Sequence, residues 1–233
     1  MQQLSQLSRR EAAPMGSATA DVKYHLKRLA RRALAPLIYR YPPFVLAPER
    51  LYLLMHHLIE TKDIHGAIVE IGCNLGGTAV IARRMLDGLR VPKRYVCIDT
   101  FDGFVGTQFA TDVALGTPTR DQNLFSGNSK ALVSQILYQH HCGDVELVQG
   151  DIVTVADEAL PTPVSLVLLD VDLTEPTFVA LERFWPRMSS GGVILVDDCA
   201  ANSTWKAGIG YDRFCRRHDL QPEYLYGMGI IRC

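Results

Sequence analysis

Apolar residues gather in short, nearly unbroken runs at 67–71, 95–99, 145–149, 165–169 and 193–196. The runs are rich in Val, Ile and Leu and show no polar alternation, which is how strands buried on both faces of a parallel sheet read. Between them the apolar spacing lengthens to three and four. This predicts helices at 48–61, after the glycines at 76 and 77, and at 130–141, 175–187 and 206–218. "SSGG" reads as the turn into the run at 193–196. Runs at 224–226 and 230–232 flank Gly227 and Gly229 and read as a closing antiparallel hairpin. Strands alternating with helices predict an α/β fold, a doubly wound, seven-stranded and mostly parallel sheet.

The stretch before the first run has a different character. Residues 1–20 are small, polar and aperiodic, and are expected to be a disordered tail. Residues 21–62 read as an N-terminal helical extension, and 63–233 as the main domain. Within 21–40, Val22, Leu26, Leu29, Leu34 and Leu37 form one stripe of a helix whose other faces carry Lys and Arg. Such a helix is expected to lay its stripe on the domain or on a second subunit, with peripheral contact to an anionic surface as the alternative. "YPPF" ends it, because proline removes a backbone donor. His56 and His57 read as partly exposed residues of the next helix. Residues 102–128 show no convincing period and are expected to form a lid or binding loop, with plain disorder as the alternative.

A chain of 233 residues accommodates one sizeable domain. A net charge of −1 argues against a general nucleic-acid binder. Six cysteines without C-x-x-C spacing suggest neither a zinc site nor a disulfide framework. No apolar run is long enough to span a membrane and no signal-peptide pattern is present, so a cytoplasmic location is expected.

Two carboxylate pairs sit where apolar runs stop: Asp170 and Asp172 in "LLDVDLTEPT", Asp197 and Asp198 in "GGVILVDDC". Either pair alone fits a helix cap. Together, at neighbouring strand ends, they gather four like charges that repel unless a cation lies among them. Hard oxygen donors point to Mg²⁺, with Mn²⁺ as a substitute.

The other half of the predicted sheet edge carries "VEIGCNLGGT". Gly72, Gly76, Gly77 and Thr78 follow a buried strand and open a helix, as a nucleotide-binding turn does. The spacing is not G-x-G-x-x-G, and Glu70 would repel a phosphate, so a dinucleotide is disfavoured. Glu70 suits the ammonium of S-adenosylmethionine. Asp99, with Thr100 and Phe101 behind it, is placed for the ribose hydroxyls, and Gly150, Asp151 and Ile152 for adenine.

"VEIGCNLGGTA", "YVCIDTFDGF", "LLDVDLTEPT" and "GGVILVDDC", in this order, resemble the class I S-adenosylmethionine-dependent methyltransferases. Within them the match is to the macrocin/mycinamicin/novobiocin sugar O-methyltransferases, over residues 45–233. The resemblance implies a Rossmann-like methyltransferase fold, S-adenosylmethionine converted to S-adenosylhomocysteine, a required Mg²⁺ and a sugar hydroxyl of a natural product, glycolipid or polysaccharide as acceptor. It implies Asp170 as the base, itself in reach of the metal, and Asp172, Asp197 and Asp198 as ligands. A homo-oligomer acting on a small-molecule or glycoside substrate is expected. The family's usual aromatic or Arg is missing from 73–75, and its usual Tyr is replaced by Thr174. Phenolic methyltransferases place a base lysine where Leu173 stands. A phenolic or metal-free enzyme would turn to Lys206, and a non-catalytic nucleoside-binding protein is the remaining alternative.

Overall fold

The five apolar runs form parallel strands β1 (Ala67–Ile71), β2 (Tyr95–Asp99), β3 (Glu146–Gln149), β4 (Val164–Leu169) and β5 (Met188–Val196) in this computed structural model, which describes residues 17–233. With β6 (Glu223–Leu225) and β7 (Met228–Arg232) they make one seven-stranded sheet in the order β3-β2-β1-β4-β5-β7-β6. Only β7 runs against its neighbours, pairing antiparallel with β5 and β6. The register is continuous at the functional edge, where Ile71 lies opposite Ile98 and Leu169, and Leu169 opposite Val196.

Period-2 alternation divides each central strand between two cores. Ile68, Tyr95, Cys97, Leu166, Leu168 and Leu195 face a core shared with helices α3 (Pro48–Glu60) and α4 (Gly77–Gly88), and with Val133 and Leu137 of α6 (Lys130–Gln139). Val69, Ile71, Val96, Val167, Leu169 and Val196 face the other, built on α7 (Thr174–Phe184) and α8 (Ala207–Arg217). Both faces are therefore covered, and the expected doubly wound sheet is present.

Four local expectations change. Strand β3 is an edge strand and its ends are exposed, so its apolar run is half-buried. The "SSGG" stretch lies inside β5, where a register shift between Val164 and Leu166 absorbs it as a bulge and Gly191 takes φ 82°. Residues 102–128 are partly helical, with α5 (Gly106–Val113) and a 3₁₀ turn at Thr119–Asn123. His57 is buried: its Nδ1 lies 2.6 Å from Glu60 Oε2, and its Nε2 has no partner among the described residues.

The N-terminal segment also differs. Helix α1 (Ser17–Ala33) begins inside the expected tail, and a short α2 (Ala35–Ile38) follows. The expectation for residues 1–16 lies outside the described residues. Val22, Leu26 and Leu29 remain exposed rather than packing on the domain. The helix rests on its polar face instead, with Tyr24 Oη donating to Asp102 Oδ1 at 2.7 Å and Arg31 Nε donating to Tyr39 Oη at 2.8 Å. No described helix is long and apolar enough to cross a membrane.

Candidate functional site

A cavity of about 400 Å³ opens along the carboxyl edge of the parallel strands, where open α/β sheets take their ligands. Of the residues expected there, Gly72, Asp99, Thr100, Gly150, Asp151, Ile152, Asp170, Asp172, Asp197 and Asp198 line it.

Strand β1 is followed by Gly72, whose φ of 87° and tight surroundings only glycine tolerates: a Cβ there would lie 1.8 Å from the Asp170 carbonyl oxygen. That absent side chain lets the ends of β1 and β4 close on one another. Asp99, at the end of β2, accepts from the Asn74 backbone N–H at 2.8 Å through Oδ2 and from Phe101 N–H at 2.7 Å through Oδ1. Burial raises its pKa and these donors oppose the rise. Each oxygen retains acceptor capacity toward the cavity. Asp151 receives Val153 N–H at 2.9 Å and Gln108 Nε2 at 2.7 Å, which ties α5 over this end of the cavity. Asp99→Ala is expected to weaken S-adenosylhomocysteine binding by about 1.5–3 kcal/mol, the scale of charge-assisted hydrogen bonds. Calorimetry giving an unchanged affinity would remove Asp99 from the donor site.

Five expected donor-site residues do not line the cavity. Glu70 is the penultimate residue of β1, so its side chain follows Ile68 onto the α3/α4 face rather than the strand edge. Tyr95 Oη donates to its Oε2 at 2.8 Å, and burial pushes its carboxyl up to about 8. Gly76, at φ 74°, shapes the turn into α4, and Gly77 makes room for another stretch of chain, since a Cβ on it would lie 2.3 Å from the Pro43 carbonyl carbon. The segment around Pro43 thus covers the helix N-terminus that a ligand was expected to use. Thr78 lies beyond that turn inside α4, and Phe101 is fully buried beneath the loop.

At the other end, Asp170, Asp172 and Asp198 bring carboxylate oxygens within 4.8 Å of one another. Asp172 and Asp198 hold left-handed φ values of 64° and 56°, strained positions that Asp tolerates better than most residues and that cluster at functional sites. Burial, followed by the facing charges of Asp197, Asp172 and Asp198, drives the Asp170 carboxyl well above the usual range. Asp172 is raised by burial and then by Asp198.

Asp197 is not in that group. Its Oδ1 accepts from Arg50 Nη1 at 2.6 Å, and the same nitrogen donates to Asp198 Oδ1 at 3.0 Å. Burial and the Asp198 charge raise Asp197 to about 6, while Arg50 opposes them. Sequence reasoning missed Arg50, which enters from the first turn of α3 and contacts groups 147 and 148 positions away. One signal was available, since a cation in the first turn of a helix opposes the macrodipole and calls for an acidic partner. Asn74, Phe104, Gln108, Phe125 and Trp205 were also missed. Lys206 does not line the cavity, and its Nζ lies 3.4 Å from the Ser203 carbonyl.

The sequence profile of the family described as Macrocin-O-methyltransferase (TylF) matches residues 49–223. Demethyldecarbamoylnovobiocin O-methyltransferase of Streptomyces niveus is 26% identical over 175 residues, covering 70% of this chain and 63% of that protein. The chain therefore matches under two thirds of that relative's length. The O-methyltransferase NovP superposes with a TM-score of 0.71 at 18% identity, over 91% of this chain and 98% of its own. The calicheamicin methyltransferase CalS11 gives 0.64 at 21% identity, over 100% and 99%. At such identities the two structures establish the fold, a Rossmann-like methyltransferase sheet, while the profile spans most of the chain, Arg50 and both carboxylate pairs included. By that match the chain belongs to the TylF macrocin O-methyltransferase family.

Proposed function

We propose that this protein transfers a methyl group from S-adenosylmethionine to one of two vicinal hydroxyls of a sugar, with a divalent cation held by Asp170, Asp172 and Asp198. The observation that carries the reading is that these three carboxylates share a cavity with Gly72 and Asp99. The donor set suits Mg²⁺ or Mn²⁺: it is all oxygen, and burial with mutual repulsion raises two of its three members.

S-adenosylmethionine supplies a methyl group on a sulfonium, and a cation at the three carboxylates supplies positive charge that makes a nearby hydroxyl easier to deprotonate. The chain's own residues do the rest. Asp99 holds the ribose, and Asp151, with Ile152 beside it, takes the adenine edge. The backbone at Gly72, closed against the Asp170 carbonyl, borders the donor's amino-acid end. Asp170 takes the hydroxyl proton, and Asp172 and Asp198 orient the acceptor. Arg50 holds Asp197 and limits the repulsion at the end of β5. Leu173 supplies no phenolic base, and Lys206 is turned to Ser203. A homo-oligomer belongs to the same proposal, the exposed stripe of α1 being apolar surface for a second copy to cover.

The test is transfer from labelled S-adenosylmethionine to glycosides bearing vicinal hydroxyls. Excess chelator is expected to abolish it, and Mg²⁺ or Mn²⁺ to restore it. Undiminished transfer in chelator, with residual metal excluded, would leave a metal-free enzyme. Residues 102–128 supply Phe104, Gln108, Phe125 and Asn128 to the cavity wall, so S-adenosylhomocysteine is expected to slow hydrogen exchange across that segment. Protection confined to other segments would make it ordinary surface.

A further inference from the structure

The turn that joins β4 to α7, residues 170–174, carries Asp170 and Asp172, and its shape is held from outside. Asp172 keeps a left-handed φ of 64°, a conformation that persists only where its surroundings impose it. The Asp170 N–H donates to the Ile71 carbonyl at 2.8 Å, and the Asp172 carbonyl accepts from the Lys206 N–H at 2.9 Å. At the far end of the turn the Thr174 N–H donates to Asp112 Oδ2 at 2.8 Å. Of these ties on the backbone, the last is the one that a side chain supplies, and it comes from 62 positions away.

Thr174 opens α7, so its N–H is one of the donors that a helix leaves unpaired at its start. A cap side chain normally answers such a donor, but the residue in that place is Leu173, which has no side-chain oxygen. Asp112 answers it from α5 instead. The residue is 1% exposed, so water does not compete for the bond. Burial raises its carboxyl, while the Thr174 donors and the Lys206 charge oppose the rise. The bond needs only an acceptor oxygen, which the group offers in either protonation state. Its other oxygen, Oδ1, is buried without a partner among the described residues, and such an oxygen costs about as much as one hydrogen bond returns. Asp112 therefore adds little to global stability, and what it fixes is local. Helix α5 is a firm base for it, because Phe109 is buried and Gln108 Nε2, one turn earlier, donates to Asp151 Oδ2 at 2.7 Å.

We infer that Asp112 is a positioning residue for the cation site: by answering the Thr174 N–H from α5, it sets the turn whose Asp170 and Asp172 carboxylates join Asp198 around the ion. The inference rests on the proposed cation binding and deepens it. Asp112 does not line the cavity and touches neither donor nor acceptor. It acts through the turn, and the helix that ties Asp151 on the donor side thereby also sets the carboxylates on the acceptor side.

Mn²⁺ binding to the full chain is followed by paramagnetic resonance, and S-adenosylhomocysteine binding by calorimetry in metal-free buffer. Asp112→Ala is expected to raise the Mn²⁺ dissociation constant by about 10–100-fold, the range for groups that orient metal ligands, and to leave S-adenosylhomocysteine affinity unchanged. Asp112→Asn keeps an acceptor for the Thr174 N–H and should recover most of the loss. Ser129→Ala is the control for ordinary capping: it removes the oxygen that accepts from the Leu132 N–H at 3.2 Å at the start of α6, and Mn²⁺ affinity should stay at the parent value. If Asp112→Ala does not fold, Thr174→Pro deletes the same bond from its donor side. The first position of a helix accepts proline, and Leu173 already has the extended backbone a following proline requires, at φ −100° and ψ 152°, so the same loss is expected there. Parent-like Mn²⁺ affinity in either folded variant would overturn the inference. So would an equal loss in Asp112→Asn or Ser129→Ala, or a matching fall in S-adenosylhomocysteine affinity. Hydrogen exchange at residues 171–173 without metal separates this inference from the cation reading. Faster exchange in Asp112→Ala and not in Ser129→Ala supports the anchor even where the parent binds no Mn²⁺, and exchange at the parent rate removes the anchor even where the parent binds it.

Discussion

Asp170→Asn is expected to slow methyl transfer by about 10²–10⁴-fold, the range for loss of a positioned general base, and to stay slow at any Mg²⁺ concentration. The variant should still bind S-adenosylhomocysteine and metal, since Asp172 and Asp198 remain in place. Asp172→Asn and Asp198→Asn should behave differently, losing activity at low Mg²⁺ and recovering part of it at high Mg²⁺, as a weakened ligand set does. Metal titration followed by Mn²⁺ paramagnetic resonance, alongside steady-state rates, separates the cases. Full rescue of Asp170→Asn by Mg²⁺ would make Asp170 a ligand alone and leave the base unassigned.

Gly72→Ala carries the second large effect, on stability. The added methyl would sit 1.8 Å from the Asp170 carbonyl oxygen, at a φ of 87°. Neither partner can yield easily: the Gly72 N–H donates to Ile98 O at 2.9 Å, and the Asp170 N–H donates to Ile71 O at 2.8 Å. Backbone strain plus overlap in a packed layer should destabilise by at least about 3 kcal/mol. Urea unfolding should show a lower midpoint with little change in slope. A midpoint equal to that of the parent chain would mean that the ends of β1 and β4 can part, and would weaken the close approach on which the site's geometry depends.

The central strands were legible because burial on both faces leaves a plain mark, an apolar run without alternation. The carboxylates at the ends of β4 and β5 were legible for a related reason, since charge that begins where such a run stops must lie at an edge. Glu70 lies one residue short of that edge. The strand continues to Ile71, so the alternation that turns Ile71 to one face sends Glu70 to the other, against Tyr95. Helix α5 was hidden because it has only eight residues, opens on Gly106 and is tied down through Phe109 and Gln108 rather than by an apolar stripe. Arg50 had no local mark strong enough to reveal its partners, because they are brought to it only when β5 and the β6–β7 turn assemble.

That assembly bears on the order in which the chain acquires function during synthesis. Helix α3 leaves the ribosome before any strand, carrying Leu53, Leu54 and Leu58 toward a core that includes Leu166, Leu195 and Ile230. Arg50 waits longer, for Asp197, Asp198 and the Tyr226 carbonyl, which accepts from its Nε at 3.3 Å. Because domains generally fold as units, the Arg50 contacts close only once β7 has inserted beside β5, so a chain cut short before β7 should lack the completed carboxylate end of the cavity.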